Sequence, residues 1–597
     1  MIQERRSGEM VKAQEIAGRK AKSGAEKGGK GVSRGLSATS LEGLPVWAGL
    51  LIIVAVTLLV TLPFIFKPFH MDDAGFIELA RERQSNPTEM VLRDYTFFGQ
   101  ENEYFLDTHP PMVSSYLALL IKIIGGESET ALHFGFIIFP LTAAVSMYYL
   151  ARFYTRHALI AALMLIVSPG VMVMSHGLMS DVPGLSLWLA GVTLYLYGLK
   201  QKSLALMTLC GIVLMTGVFT SYQVLCVVPL LFAYALVRRE LSMLAIIPFV
   251  LPLSAFASFC IWHYSQMEIL PRFSYGVGEP LAWYSVTQKG AGVFATLGGA
   301  IIFFAVLMKV LIARKWDFAV YLVFLAPLWI GVAVQYIIGK FTASAAVISI
   351  LLMPLGILLL YRIFSESWDQ LQEERPDRQA RNVLLFLWLA GVLFYVIILL
   401  PYSSVRYLLP AFPPLVLLFI RLVENRFAGS RNIGYLFIGT LLATAGLGLL
   451  VAEADYELAM ANRDFARKEG VALKEQAAAE GRRLWFVGEF GFRYYLEQQG
   501  IEELPKDRVD ILRDGDLIVQ SPLADPRSFS DETAERLDLI DTTGYSGLTP
   551  FRSLDYNSQA GFYGHFWGIL PFSLDYGNIE EYLIYRVVPA REIDRDN

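Results

Sequence analysis

Two adjacent carboxylates, Asp72 and Asp73, stand in the stretch PFHMDDAGFIELARER (68–83), directly after an apolar run long enough to cross a bilayer. Four further polar stretches interrupt the apolar chain: DTHPP (107–111) with His109, SHGLMSDVPG (175–184) with Asp181, the loop after His263, and SSVRYLLPAFP (403–413) with Arg406 and Tyr407. A carboxylate can take the proton of an attacking hydroxyl or amine, and the planar fork of an Arg matches the oxygens of a departing phosphate. Gathered at a membrane surface, these groups suit attack on a centre activated by a lipid phosphate. Phosphate is already a good leaving group, so charge stabilisation matters more than a general acid.

Each residue also has a structural reading. Asp72 or Asp73 suits the N-cap of the amphipathic helix that follows, where an acid also meets the positive end of the helix dipole. Neighbours on a helix point about 100° apart, so the two carboxylates are expected to play different roles. Asp181, two residues before Pro183, resembles a helix start. HPP suits a rigid turn before MVSSYLALLIKIIGG, which reads as an interfacial segment rather than a span. Arg406 can snorkel to lipid phosphates, and His176 and His263 read as surface or packing residues.

The elements that must position these residues follow from composition. Of 597 residues 55% are hydrophobic and 18% charged, with mean hydropathy +0.46; soluble domains carry about 25% charged residues. This defines a polytopic α-helical membrane protein. The first run, LPVWAGLLIIVAVTLLVTLPFIF (44–66), has the roughly 20 residues a spanning helix needs and is too long and too far from the start for a cleaved signal. Similar runs recur to residue 452, giving about 13 helices. With the tail inside, every inner connection is basic, as in ARFYTRH (Arg152, Arg156), RRE (Arg238, Arg239) and RLVENRFAGSRN (Arg421, Arg426, Arg431), and the outer connections are poor in Lys and Arg. All the polar stretches above then fall on the outer face, the first outer loop running over about 67–128.

Residues 1–43 read as a disordered basic cytoplasmic tail. Its GAEKGGKG (24–31) nearly matches a phosphate-binding loop, but Gly31 stands where the metal-binding hydroxyl belongs and no strand precedes it. Residues 44–452 form the membrane domain. Residues 453–597 regain soluble composition and read as a small α/β domain on the outer face; within it AGFYGHFWGILPFSLDYG (560–577) reads mainly as β core. Cys210, Cys226 and Cys260 lie in apolar runs and read as buried hydrophobes, and the net charge of -5 says little.

The order and spacing of MDDAGFIELARE, THPPMVSSYLALLIKIIGG, LMSDVPGLSLWLA and VRYLLPAFPPL after a first span resembles the family 39 type of glycosyltransferases with the C fold. Its relatives include protein O-mannosyltransferases and lipid A aminoarabinose transferases. The resemblance covers about residues 44–452 and implies a sugar donor on a polyprenyl monophosphate, with Asp72 as the base. Asp73 stands where many relatives have Glu, in a role that orients the acceptor or a metal. His109 stands where the aminoarabinose transferases have Lys before the double proline, so its phosphate binding needs protonation near its ordinary pKa of about 6.5. Arg406 with Tyr407 matches the family's Arg-Tyr motif as phosphate ligands, and Asp181 matches a supporting acid.

The resulting expectation is a multi-pass enzyme of the bacterial inner membrane. It transfers a hexose or pentose from a polyprenyl phosphate to a glycan, lipid or protein acceptor on the periplasmic side, with inversion and without nucleic acid. No cofactor is demanded; a divalent metal would use Asp72, Asp73 or a histidine, but no ligand spacing requires one. A transporter or flippase of lipid-linked sugars is the rival, and it would carry ionisable groups or broken helices near the midplane in two related halves. A noncatalytic scaffold leaves the acidic first loop unexplained.

Overall fold

The computed structural model describes residues 43–86, 96–97, 99–101, 110–267, 270, 283–301, 315–373, 375–427, 433–506, 508–524 and 529–589. The GAEKGGKG stretch, His109 and much of the loop after His263 lie outside them. Among the described residues eight helices are long and apolar enough to cross a membrane, from Val46–Phe64 to Ile433–Ala479, and shorter apolar helices accompany them. The chain is a polytopic α-helical membrane protein with a small C-terminal α/β domain. About 13 were read from sequence; the runs near 158–175 and 203–220 form shorter helices of 10 residues (Ala158–Val167) and 15 residues (Leu204–Val218), and part of the run 293–313 lies outside the described residues.

The charged connectors meet at one end of the bundle. Arg238 Nη1 lies 3.4 Å from Asp377, Arg421 donates to Gln370 at 2.6 Å and Asn382 at 2.9 Å, and the Thr155 hydroxyl donates to Glu424 at 2.6 Å. The first loop, residues 175–181, residues 400–407 and the C-terminal domain gather elsewhere, as their mutual hydrogen bonds below show. MVSSYLALLIKIIGG forms the helix Met112–Ile124, closed by Gly125 at φ +82, a left-handed position that a glycine takes without strain. Arg83 and Gln84 of the first-loop helix Asp73–Ser85 donate to it, at Ser114 Oγ (2.6 Å) and Ala118 O (3.2 Å).

Close helix crossings use small residues, as bilayers require where no hydrophobic force drives helices together. A Cβ on Gly298 would lie 1.9 Å from the Leu352 carbonyl oxygen, and one on Gly356 2.0 Å from that of Phe294. These two glycines let Trp283–Gly299 lie directly against Ala343–Leu371.

The last long helix, Ile433–Phe465, runs on through a π-helical turn, Ala466–Gly470, into Val471–Ala479, so the C-terminal domain grows from the span without a linker. Its sheet has the order Glu502–Glu503, Leu484–Val487, Leu517–Gln520, Asn578–Val587, Leu537–Ser546. The first three strands are parallel, and Asn578–Val587 runs antiparallel to both its neighbours. Phe465 of the span stacks on Tyr582 of the sheet at 3.9 Å between centroids, so one aromatic core serves both. The segment 560–577 is not the β core its aromatic content implies. It is mostly turns with two-residue strands at Ala560–Gly561 and Ser573–Leu574, and two of its aromatic rings, Tyr563 and Phe566, meet His70 and Tyr402 of the membrane domain.

Candidate active site

The chain turns sharply between the first span and the helix Asp73–Ser85, with Met71 held at φ 50, a costly conformation for a side chain of its size. The turn sends the two carboxylates in different directions. Asp73 is fully buried. Its oxygens accept backbone N–H bonds from Leu178 at 2.6 Å and His70 at 3.1 Å, tying the first loop to the 175–181 stretch. Burial pushes its carboxyl up to about 7. Asp72 occupies the N-cap position but makes no side-chain capping bond. Its carboxylate pairs instead with the Arg406 guanidinium, 334 residues away in sequence.

Arg406 sits in the short helix Val405–Leu408, whose first turn is capped by Ser404 Oγ accepting from Arg406 N at 3.1 Å. Its Nη2 donates to the hydroxyls of Tyr402 at 2.8 Å and Tyr407 at 3.4 Å, and the guanidinium lies 5.0 Å from the Tyr407 ring centroid. The two tyrosine hydroxyls bond to each other at 2.9 Å. The side chain is 12% exposed and turned into protein, which replaces the snorkelling reading of Arg406. Asp181 begins the helix Asp181–Gln201, close enough to interact electrostatically with both Arg406 and Asp72. Five of the six site residues read from sequence, Asp72, Asp73, Asp181, Arg406 and Tyr407, therefore converge, with Asp73 joined through the backbone; His109 is outside the described residues.

Sequence reasoning missed the support beneath this cluster. Lys67 Nζ pairs with Asp455 Oδ2 at 2.5 Å, both side chains almost wholly buried. The same carboxylate accepts from the Tyr563 hydroxyl at 2.9 Å and faces His70 Nε2 at 3.5 Å. Burial lowers the His70 pKa and raises that of Tyr563. A Lys just beyond the first span and an Asp in the helix of the last one were the available signal. The C-terminal domain also grips the Arg406 segment directly: Val405 N donates to Phe562 O at 3.1 Å, His565 N to Ser403 O at 2.9 Å, and Ser403 N to His565 Nδ1 at 3.0 Å. His176 is a packing residue, its ring 4.5 Å from that of Phe64 and its Nε2 2.9 Å from Val60 O; burial lowers its pKa to about 3, so it is neutral.

Tyr407 also lines an apolar cavity of about 330 Å³ between Trp188, Trp388, Gly391 and Tyr395. A second apolar cavity of about 440 Å³ shares Gln223, Cys226, Pro229 and Tyr395 with it. The two Trp rings stack at 5.7 Å. Through Tyr407 the first of these cavities adjoins the Arg406 cluster. Among the described residues no group of three His, Cys, Asp or Glu that could hold a metal ion occurs.

These features define a multi-pass membrane protein with a charged cluster at the end of an apolar cavity. Residues 108–263 match the family model described as dolichyl-phosphate-mannose-protein mannosyltransferase, in keeping with the resemblance read from the sequence. No curated protein matches the chain. Among solved structures, the Archaeoglobus fulgidus oligosaccharyltransferase in complex with zinc and sulfate is similar at TM-score 0.48 and 13% identity, over 76% of this chain and 62% of that one. This chain therefore spans less than two thirds of the archaeal protein's length. ArnT from Cupriavidus metallidurans bound to undecaprenyl phosphate is similar at TM-score 0.43 and 14% identity, over 79% of this chain and 93% of that one. The arabinofuranosyltransferase AftD from Mycobacteria is similar at TM-score 0.42 and 13% identity, over 90% of this chain and 40% of that one.

Proposed function

We propose that this protein is an integral membrane glycosyltransferase that moves one sugar from a polyprenyl phosphate to an acceptor at the outer face of a bacterial inner membrane. The observation that carries the reading is the meeting of Asp72 and Arg406 beside Tyr407, which also lines the apolar cavity. The family match over residues 108–263 supports a polyprenyl-phosphate donor. The basic connectors at the opposite end of the bundle support the outward orientation.

In this reading the carrier's isoprenoid chain fills the apolar cavity and its phosphate reaches Arg406. The phosphate competes with Asp72 for the guanidinium, so donor binding releases the carboxylate at the moment it is needed as a base. An acceptor hydroxyl or amine then attacks the anomeric carbon from the face opposite the phosphate. Asp72 takes the acceptor's proton, the bond from the anomeric carbon to the phosphate oxygen breaks, and the phosphate leaves with the electron pair, inverting the centre. Arg406, with the Tyr402 and Tyr407 hydroxyls, stabilises the charge developing on the phosphate, and His109 is a second cation when protonated. Asp73 holds Asp72 in register by pinning its loop, and Asp181 balances the charge of Arg406. No step runs through a metal.

Binding of a radiolabelled C55 polyprenyl monophosphate to the protein in nanodiscs tests the donor half of this account, with the corresponding polyprenol as control. A Cβ on Gly391 meets nothing within 4 Å, so Gly391→Trp fills the apolar cavity with little strain. The monophosphate is expected to bind the wild type at least tenfold more tightly than the polyprenol, and Gly391→Trp to weaken both. Equal binding of the two lipids would count against a phosphate site at Arg406.

A further inference from the structure

The two most exposed large apolar side chains among the described residues are Tyr576, 91% exposed, and Leu548, 86% exposed. Both belong to the C-terminal domain, on turns at one end of the short antiparallel ribbon of Phe551–Arg552 and Ser573–Leu574. A lone exposed Leu needs no explanation. These two, however, are held together. Asp575 N donates to Pro550 O at 2.8 Å, and the buried Arg552 guanidinium donates to Thr549 O at 2.9 Å and to Gly577 O at 2.6 Å. One side chain thus staples both turns and presents their tips in a fixed arrangement.

The turns stand where the domain meets the lipid-facing surface of the bundle. The large apolar side chains exposed on the helix Ile433–Phe465 are Tyr435, Leu442, Leu449 and Leu450. The first three recur every seven residues and so form one stripe. Leu450 and Glu457 are also seven residues apart, so Glu457 continues that face. The apolar run ends at Ala452, which puts Glu457 about 8 Å past it along the helix axis, close to the thickness of one headgroup layer at about 5–8 Å. Glu457 Oε1 accepts from Leu548 N at 2.7 Å, so Leu548 sits over the end of the stripe. The other side of the ribbon reaches into the bundle. A Cβ added to Gly299 would lie 3.1 Å from the Phe572 ring and 2.8 Å from Leu352, inside the candidate span Ala343–Trp368. From this level the sheet leads away: Asn578–Val587 begins just after Tyr576, and its Tyr582 donates to Asn462, beyond Glu457 on the same helix, at 3.0 Å.

We propose that Leu548 and Tyr576 form an interfacial anchor that dips into the lipid boundary beside the last span and holds the C-terminal domain to the bilayer. Tyr is enriched at this depth because its ring is apolar and its hydroxyl wet, and the Leu beside it adds apolar burial. The partner is the apolar edge of the leaflet rather than a lipid phosphate, since the turns GLTP (547–550) and DYG (575–577) carry no cation and Glu453, Glu457 and Asp575 lie near them. A second copy of the chain is a poorer fit, because two turn tips supply little of the roughly 800 Å² per partner that a stable interface buries. The inference does not depend on the transfer reading.

The test is photocrosslinking of the full-length protein in nanodiscs of phosphatidylcholine tritiated in its acyl chains, with p-benzoylphenylalanine placed singly at Leu548, Tyr576, Leu442 and Asp510. Leu442 lies on the exposed stripe. Asp510 is 66% exposed and belongs to the far end of the sheet, where Ile511 and Leu512 pack with Val587, about 30 Å from the anchor by the length of the strand. All four positions are exposed, so the added ring displaces no core side chain. The expected result is lipid label at Leu548 and Tyr576 within about threefold of that at Leu442 and about tenfold or more above that at Asp510. Label at either turn no greater than at Asp510 overturns the proposal. So does crosslinking of either turn to a second copy of the chain, which would make the turns a protein interface.

Discussion

Arg406→Gln, Asp72→Asn and the double variant form a cycle in which structure and chemistry separate. The paired side chains are 12% and 13% exposed, so each charge is largely cut off from water. Removing the guanidinium leaves Asp72 as an uncompensated carboxylate, a change that costs about 3–5 kcal/mol for a buried pair; residual exposure points to the lower end, ~3 kcal/mol. Asp72→Asn is milder, ~1.5 kcal/mol, because Arg406 keeps the hydroxyls of Tyr402 at 2.8 Å and Tyr407 at 3.4 Å and the nearby charge of Asp181. The double variant has no orphaned charge and should be little less stable than Arg406→Gln alone, a coupling of about 1–3 kcal/mol. Reversible unfolding in mixed micelles of increasing SDS fraction, followed by tryptophan fluorescence, measures all four proteins. Sugar transfer should behave oppositely, falling about 10²-fold or more in each single variant and staying low in the double, since neither the base nor the phosphate ligand returns. Stabilities that add to within about 0.5 kcal/mol would show that the two side chains are not coupled and would refute the pairing.

Asp73, pushed up to about 7 by burial, keeps its proton in the fold at pH values where the unfolded chain, near 3.8, has lost it. The folded state then binds more protons, so this group's contribution to stability is greatest below about 4 and declines as pH rises to about 7. Lys67 and Asp72 face the same carboxyl; Asp73→Asn should flatten that slope of unfolding midpoint against pH, and an unchanged slope would assign it to another group. Asp455→Ala strips the counter-charge from buried Lys67 and a hydrogen bond from Tyr563. It should destabilise the protein by about 3–5 kcal/mol, with Lys67→Met in the same chain recovering part of the loss. Failure of the second change to recover anything, measured by the same unfolding assay, would locate the cost of Asp455→Ala elsewhere.

Topology made the site legible. Once basic residues are seen to alternate between loops, Asp72, Asp73, Asp181 and Arg406 fall on one face, and four of these loops' residues do meet in space. That the two carboxylates meet different partners was also expected, because adjacent helix positions diverge. The resemblance put Asp72 forward as the base; what was not legible is that Asp73 is buried and tied by its carboxylate to a backbone N–H 105 residues away at Leu178, beside the turn at Met71. Asp455 escaped because the last span was ended at 452, whereas the helix continues to Phe465. The grip of the C-terminal domain on Ser403 and Val405 crosses about 160 residues of sequence and leaves no local pattern. The aromatic run at 560–577 misled for a related reason. Phe, Tyr and Trp are enriched in strands because strands are half buried, and a turn packed against a membrane domain is buried as well.

The central claim is that Asp72 is the base of a sugar transfer from a lipid phosphate. It is tested most directly by incubating purified wild type and Asp72→Asn with a panel of synthetic polyprenyl phosphate sugars carrying a labelled sugar, with mixed envelope glycans as acceptors. The account predicts that the wild type transfers label from at least one donor and releases polyprenyl phosphate, and that Asp72→Asn, folded and still able to bind polyprenyl monophosphate, does neither. Equal donor consumption by the two proteins would contradict it.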